Sequence, residues 1–244
     1  MKKIKLLLCL FMLTTLCGCS NSNKNESSKT LNAAMFWIST SLDPTNNYDG
    51  WVLSRIGVGE TLLKLNEKYE VEPSLAKSYE QIDDTTWKLT LKDHITFSNG
   101  NKVTGENVKA CLERAFEKNT RAIDYFDLNH VEADKQDVYL YLNKSSGAIL
   151  NNLCEPLFTI YDASQSEVDI AKHPLCTGPF VVDDFVSEKT IDTSKNKKYY
   201  DGKAKLDHVH FSQVADSDAR VLALQSGEVD LANTIDYSSL KLFR

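Results

Sequence analysis

The sequence predicts a mixed α/β fold of the α+β kind, in which antiparallel hairpins are interleaved with single helices. Three stretches carry that expectation. Trp87, Leu89 and Leu91 alternate with Lys88 and Thr90, the period of two that a half-buried strand requires. Val108, Cys111, Leu112, Ala115 and Phe116 recur at helical spacing behind Thr104, whose hydroxyl can accept a first-turn N–H. Val131–Ala133 and Val138–Leu142 flank Asp134-Lys135-Gln136-Asp137 as a hairpin, with Val138, Leu140 and Leu142 on one face.

The other elements follow in chain order. Leu31–Ser39 reads as a strand ended by Leu42-Asp43-Pro44, and Tyr48–Leu62 as a helix with an irregular end. Ile95–Phe97 reads as a short strand closed by Asn99-Gly100, a pair suited to a turn with positive φ. Residues 145–153 are expected as a further helix, Phe180–Ser187 with Thr190–Thr193 as a second hairpin, and Val209 and Phe211 as markers of a strand. Asp216 or Ser217 caps a helix through Arg220, Val221, Leu224 and Gln225, which Gly227 stops.

The 244 residues fit one large domain or two small ones, and 42% hydrophobic with 25% charged residues is an ordinary globular composition. Net charge is −6; the first 18 residues hold three lysines and no acid, so the remainder carries −9. An acidic body repels phosphate backbones, which argues against a nucleic-acid partner, and it repels anionic lipid as well. Attachment to a membrane therefore needs a separate device.

The N-terminus offers one. Lys2, Lys3 and Lys5 precede an apolar stretch from Leu6 to Leu16. Eleven residues at 1.5 Å each cover about half of a roughly 30 Å hydrocarbon core, too short to span it, so residues 1–18 read as an export signal. Leu16-Cys17-Gly18-Cys19 resembles a bacterial lipobox, with Cys19 the acceptor of the lipid. Residues 19–30 are Ser-, Asn- and Lys-rich and are expected as a flexible tether. Of six cysteines, Cys111, Cys154 and Cys176 remain in the body, an odd number without a CxxC; buried free thiols are expected, one disulfide being the alternative.

Four further segments resemble the family 5 extracellular solute-binding proteins, the peptide and nickel receptors of ABC importers. They are Leu42-Asp43-Pro44 leading to Gly59-Glu60-Thr61-Leu62 and Pro73-Ser74-Leu75-Ala76; Trp87 to Gly100; Thr177-Gly178-Pro179-Phe180; and Ala223 to Asp230. The resemblance implies one lobe of a type II periplasmic-binding-protein fold. Residues 31–61 and 171–244 would belong to lobe I and 62–170 to an inserted subdomain, the chain being truncated before a second lobe. It also implies a monomeric, non-enzymatic receptor outside the cytoplasmic membrane. Such a receptor closes on a small-molecule ligand and hands it to a permease. No cofactor and no resident metal are implied. The alternatives are a lipoprotein remnant that binds nothing and a secreted metal-dependent hydrolase.

Gly50 to Leu62 and Asn119-Thr120-Arg121-Ala122 are similar to stretches of nickel-associated members, where an arginine meets the carboxylates of a chelate. A planar guanidinium suits that task because it pairs two oxygens and stays charged. Arg121 is thus a candidate ligand residue, with Trp51, Tyr48, Arg55 and Tyr125 beside it. A further arginine of nickel receptors has no counterpart in Cys154-Glu155-Pro156-Leu157-Phe158.

Other constellations carry less chemistry. His208 and His210 fall on one face of a strand but make only two ligands of a metal site. His173 and Cys176 lie close in a loop that offers no oriented base. Neither G-x-x-x-x-G-K-[ST] nor G-x-G-x-x-G occurs, so the importer's ATPase would be another polypeptide.

Overall fold

A computed structural model of the chain describes residues 28–243; the expected signal segment, Cys19 and most of the tether lie outside them. Eleven strands and six α-helices alternate through the described residues. In order, the strands are β1 Thr30–Met35, β2 Leu63–Leu65, β3 Val71–Pro73, β4 Ala76–Gln81, β5 Thr86–Leu91, β6 Leu128–Asp134, β7 Asp137–Leu142, β8 Phe180–Val186, β9 Thr190–Lys195, β10 His208–Gln213 and β11 Leu231–Ala232. The helices are α1 Asp49–Arg55, α2 Gly105–Lys118, α3 Ala122–Tyr125, α4 Ile149–Asn152, α5 Glu167–Lys172 and α6 Ser217–Ser226.

The first sheet has the order β11-β1-β10-β9-β8. Its strand β1 runs parallel to both neighbours, Thr30 opposite His208 and Ala33 opposite Leu231, whereas β10, β9 and β8 pair antiparallel. The second sheet, β4-β5-β7-β6, is wholly antiparallel, and β2 and β3 form a separate ribbon. The first sheet draws on residues 30–35 and 180–232; the second and the ribbon draw on 63–142.

One apolar core connects the two sheets. It runs from Ala33 and Met35 of β1 through Leu42, Leu53 and Phe158 to Val108, Cys111, Leu112 and Ala115 of α2, and on to Leu89, Val138 and Leu140. A smaller cluster of Ala34, Ala223 and Val229 seats α6 on the other face of β1. This explains a strand of small residues: β1 is covered on both sides, and alanines permit close approach of the helix.

Local chemistry sets the ends of the elements. Thr104 accepts from the Asn107 N–H while the Asn107 side chain accepts from the Thr104 N–H, so α2 starts in a reciprocal cap. Asp216 caps α6, and Gly227 at φ 76° ends it. The turn glycine Gly100 sits at φ 95°.

Four expected elements are shorter than the sequence suggests. The helix begun at Tyr48 stops at Arg55, because Gly57 turns at φ 71° and the Phe180 ring lies against it. Ile95–Phe97 contributes a single bridge, Thr96 to Lys102, and residues 145–153 contribute only the one turn of α4. Strand β1 likewise ends at Met35. Beyond it the Phe36 N–H donates to Asn233 Oδ1 at 2.9 Å and the Ile38 N–H to Gln213 Oε1 at 2.6 Å, side-chain acceptors that replace the ladder. That departure delivers Phe36 and Trp37 to a cleft at the end of the sheet.

Candidate ligand-binding cleft

The cleft encloses about 440 Å³ and is assembled from four segments. Phe36 and Trp37 come from the chain leaving β1, and Tyr48, Trp51 and Arg55 from one face of α1 at helical spacing. Arg121 and Tyr125 bracket α3, and Glu155 precedes a one-turn helix, Pro156–Phe158. The five ligand-residue candidates of the sequence thus border a single cavity. Phe36, Trp37 and Glu155 join them without having been singled out. For Glu155 a signal was present, since it is the one acid in the apolar run Ile149–Ile160.

Close packing of α1 makes the wall possible. A Cβ on Gly50 would lie 2.2 Å from the Pro156 carbonyl oxygen, so the helix touches backbone there. That contact lets Trp51 Nε1 donate to Glu155 Oε1 at 2.8 Å. The loop Asp43–Tyr48 is pinned from α2 and beyond. Arg114 makes two bonds to the Asp43 carboxylate, at 2.8 and 2.6 Å, and a third to Thr45 Oγ1. Asn119 Nδ2 donates to the carbonyls of Thr45 and Asn47 at 3.1 Å.

Arg121 is engaged on every side. It donates to Asn47 O at 2.9 Å and to the Tyr125 hydroxyl at 2.8 Å, and its guanidinium carbon lies 3.7 Å from the Tyr48 ring centre. Its Nη2 is 3.9 Å from Glu155 Oε1. Arg55 differs. Its guanidinium lies 5.7 Å from the Phe36 ring centre and 5.4 Å from that of Trp51, and among the described residues no carboxylate is within ion-pair distance. Burial raises the Tyr125 pKa, helped by the Glu155 charge, so its hydroxyl stays neutral.

Beneath the wall lies Asp49, only 2% exposed. Burial raises its pKa to about 7 against the bond from Asn46 Nδ2, and the nearby Asp43 charge adds to the rise. Burial also acts on Asp43, but the bonds from Arg114 and Thr45 outweigh it and hold that carboxyl below its ordinary value.

The remaining candidates lie elsewhere. His210 Nδ1 meets Asp192 Oδ1 at 2.6 Å, and no group of three His, Cys, Asp or Glu able to hold a metal occurs among the described residues. His173 is exposed, while Cys176 is buried with its thiol pKa pushed well up by burial. Cys111, Cys154 and Cys176 are free; Cys154 is only partly buried.

A two-sheet body with an aromatic, arginine-bearing cleft is the architecture of a solute receptor, and the chain belongs to the bacterial extracellular solute-binding proteins, family 5, whose middle-region family model matches residues 70–244. The nickel-binding protein NikA of Staphylococcus aureus is 32% identical over 226 residues, 93% of this chain and 45% of that protein. The glutathione-binding protein GsiB of Escherichia coli is 30% identical over 190 residues, 74% of this chain and 37% of its own length. This chain therefore spans less than half of either relative. The crystal structure of the S. aureus NikA with Ni(L-His)2 superposes with a TM-score of 0.78 at 32% identity, over 83% of this chain and 43% of that one. A nickel ABC transporter structure from Bacillus halodurans reaches 0.83 at 29% identity, over 88% and 45%. The fold is that of type II periplasmic binding proteins. The family is one of extracellular receptors rather than enzymes, and no helix among the described residues is long and apolar enough to cross a membrane.

Proposed function

We propose that this chain is the ligand-capturing part of an extracytoplasmic receptor of an ABC importer, anchored by lipid on Cys19, that takes up a nickel chelate or a short peptide for a permease. The observation that carries this reading is the cleft itself: five aromatic residues, two arginines and one glutamate around about 440 Å³, a volume suited to a small organic ligand. The aromatic faces exclude water, and a guanidinium without a carboxylate partner offers a carboxylate its fork. The likeness to NikA favours a nickel chelate, and the likeness to GsiB keeps a short peptide in play. Residues 62–170 act in this reading as a subdomain inserted into a lobe made of 31–61 and 171–244, and the receptor works as a monomer.

Calorimetry on the purified protein tests the reading with nickel plus L-histidine and, separately, with glutathione. Saturable heat from one of them is expected, and its loss in Arg55→Ala places the ligand in this cleft. Silence from both ends the proposal. Lipidation has its own check: labelled palmitate is incorporated by the wild type and not by Cys19→Ser.

A further inference from the structure

The charges of the cleft do not count equally. Arg121 faces a carboxylate 3.9 Å away, and it already donates to Asn47 O and the Tyr125 hydroxyl. Arg55 makes only ring contacts. Between them stands Glu155, whose side chain is 13% exposed and whose Oε1 also receives Trp51 Nε1. A carboxylate so enclosed in a partly desolvated wall acts on its neighbours through a lower effective dielectric than water offers.

We infer that Glu155 sets the ligand class of this cleft: it offsets Arg121, leaving Arg55 the single uncompensated charge among the described lining residues, so that the cleft takes a ligand that brings one carboxylate to Arg55 and no net negative charge beyond it, and rejects polyanionic chelates. The inference rests on reading the cleft as the ligand site. A polycarboxylate entering beside Glu155 meets like charge at short range, with little water to screen it. A ligand with one carboxylate can place it on Arg55 and lay its remaining, uncharged surface against Trp51 and Phe36. The same glutamate fixes the Trp51 ring, so charge selection and ring placement share one side chain.

The test compares two nickel probes by calorimetry on the full chain: nickel with two histidines, uncharged overall, and nickel–EDTA, a dianion. Wild type is expected to prefer the histidine complex. In Glu155→Gln, which keeps an acceptor oxygen for Trp51, the preference is expected to move about tenfold or more toward nickel–EDTA, the order set by removing one unit charge from a partly shielded site. Binding with an unchanged ratio, or an equal loss for both probes, overturns the inference and leaves the ligand-site reading intact. Wild type binding neither nickel probe overturns the inference, and if glutathione also gives no heat the ligand-site reading falls with it.

Should the glutamine variant alone bind neither probe, the ligand-free protein decides. Iodide quenching of Trp51 fluorescence, isolated by comparison with Trp51→Phe, is expected to rise in Glu155→Gln while quenching by neutral acrylamide holds. Unchanged iodide quenching overturns the inference.

Discussion

Arg121 and Arg55 border one cavity, yet their surroundings assign them different work. Arg121 ties α3 to the Asn47 carbonyl and stacks on Tyr48, so its removal loosens a wall before it costs any ligand contact. Arg121→Ala is expected to destabilise the protein by about 1–2 kcal/mol, a hydrogen bond or two, read as a lower Tm without ligand. Arg55→Ala is expected to leave the unfolding free energy within about 0.5 kcal/mol of wild type, as exposed positions do, and to lose ligand heat. Asp49 gives a pH signature. Its folded pKa, about 7, lies above the ordinary aspartate value of 3.8, so its contribution to stability is present below the unfolded value and is lost as pH rises through 7. Asp49→Asn, which imitates the protonated carboxyl, should therefore melt close to wild type near pH 4 and progressively above it by pH 8. A constant difference across that range would contradict the assignment. At this scale the sequence was partly legible: the arginine and aromatic residues singled out on motif-bearing stretches do border one cavity. Phe36 and Trp37 were hidden because their place depends on a strand leaving its ladder, which has no periodic signature; Glu155 stood out as a lone acid, but its place in the wall depends on the backbone contact at Gly50.

Among the elements, caps and alternation were readable and short pieces were not. Thr104 announces α2, and Thr104→Ala is expected to cost about 1 kcal/mol in chemical denaturation. Gly227→Ala places a Cβ at φ 76° and is expected to cost about 1–2 kcal/mol, the ordinary penalty of a left-handed residue, since open space surrounds the site. The hairpin of β6 and β7 followed from a period-two pattern, because Val138, Leu140 and Leu142 bury one face of β7. Strand β4 escaped because its sequence Ala-Lys-Ser-Tyr-Glu-Gln is polar at nearly every position and its residues beyond Ala76 stay largely exposed. It is a strand by pairing with β5, not by burial. Helix α5 and the ribbon β2–β3 are too short for any period to register.

For the whole molecule, a few polar ties bridge the pieces that the core joins. Arg114 on α2 holds Asp43, which follows β1, at 2.6 Å, and so links the helix beside the second sheet to the exit of the first. Arg114→Met leaves that carboxylate buried without its counter-charge, with only the Thr45 bonds remaining, and is expected to cost about 3 kcal/mol, measured as the shift of the denaturation midpoint. Glu60 is a second tie. Burial raises its pKa, and Thr177, Tyr199 and Tyr200 donate to it from segments far along the chain. Such ties were invisible in the sequence, since nothing local pairs residue 43 with 114 or 60 with 200.

The parallel seating of β1 between β10 and β11 has a kinetic side. Thr30 pairs with His208, 178 positions further along the chain, so the first strand to emerge during synthesis is among the last to find a neighbour. Until then its backbone stays unpaired, and the high contact order makes closure of this sheet slow. A polypeptide threaded outward through a narrow secretion channel benefits from that delay, because a segment that cannot fold early cannot jam the passage.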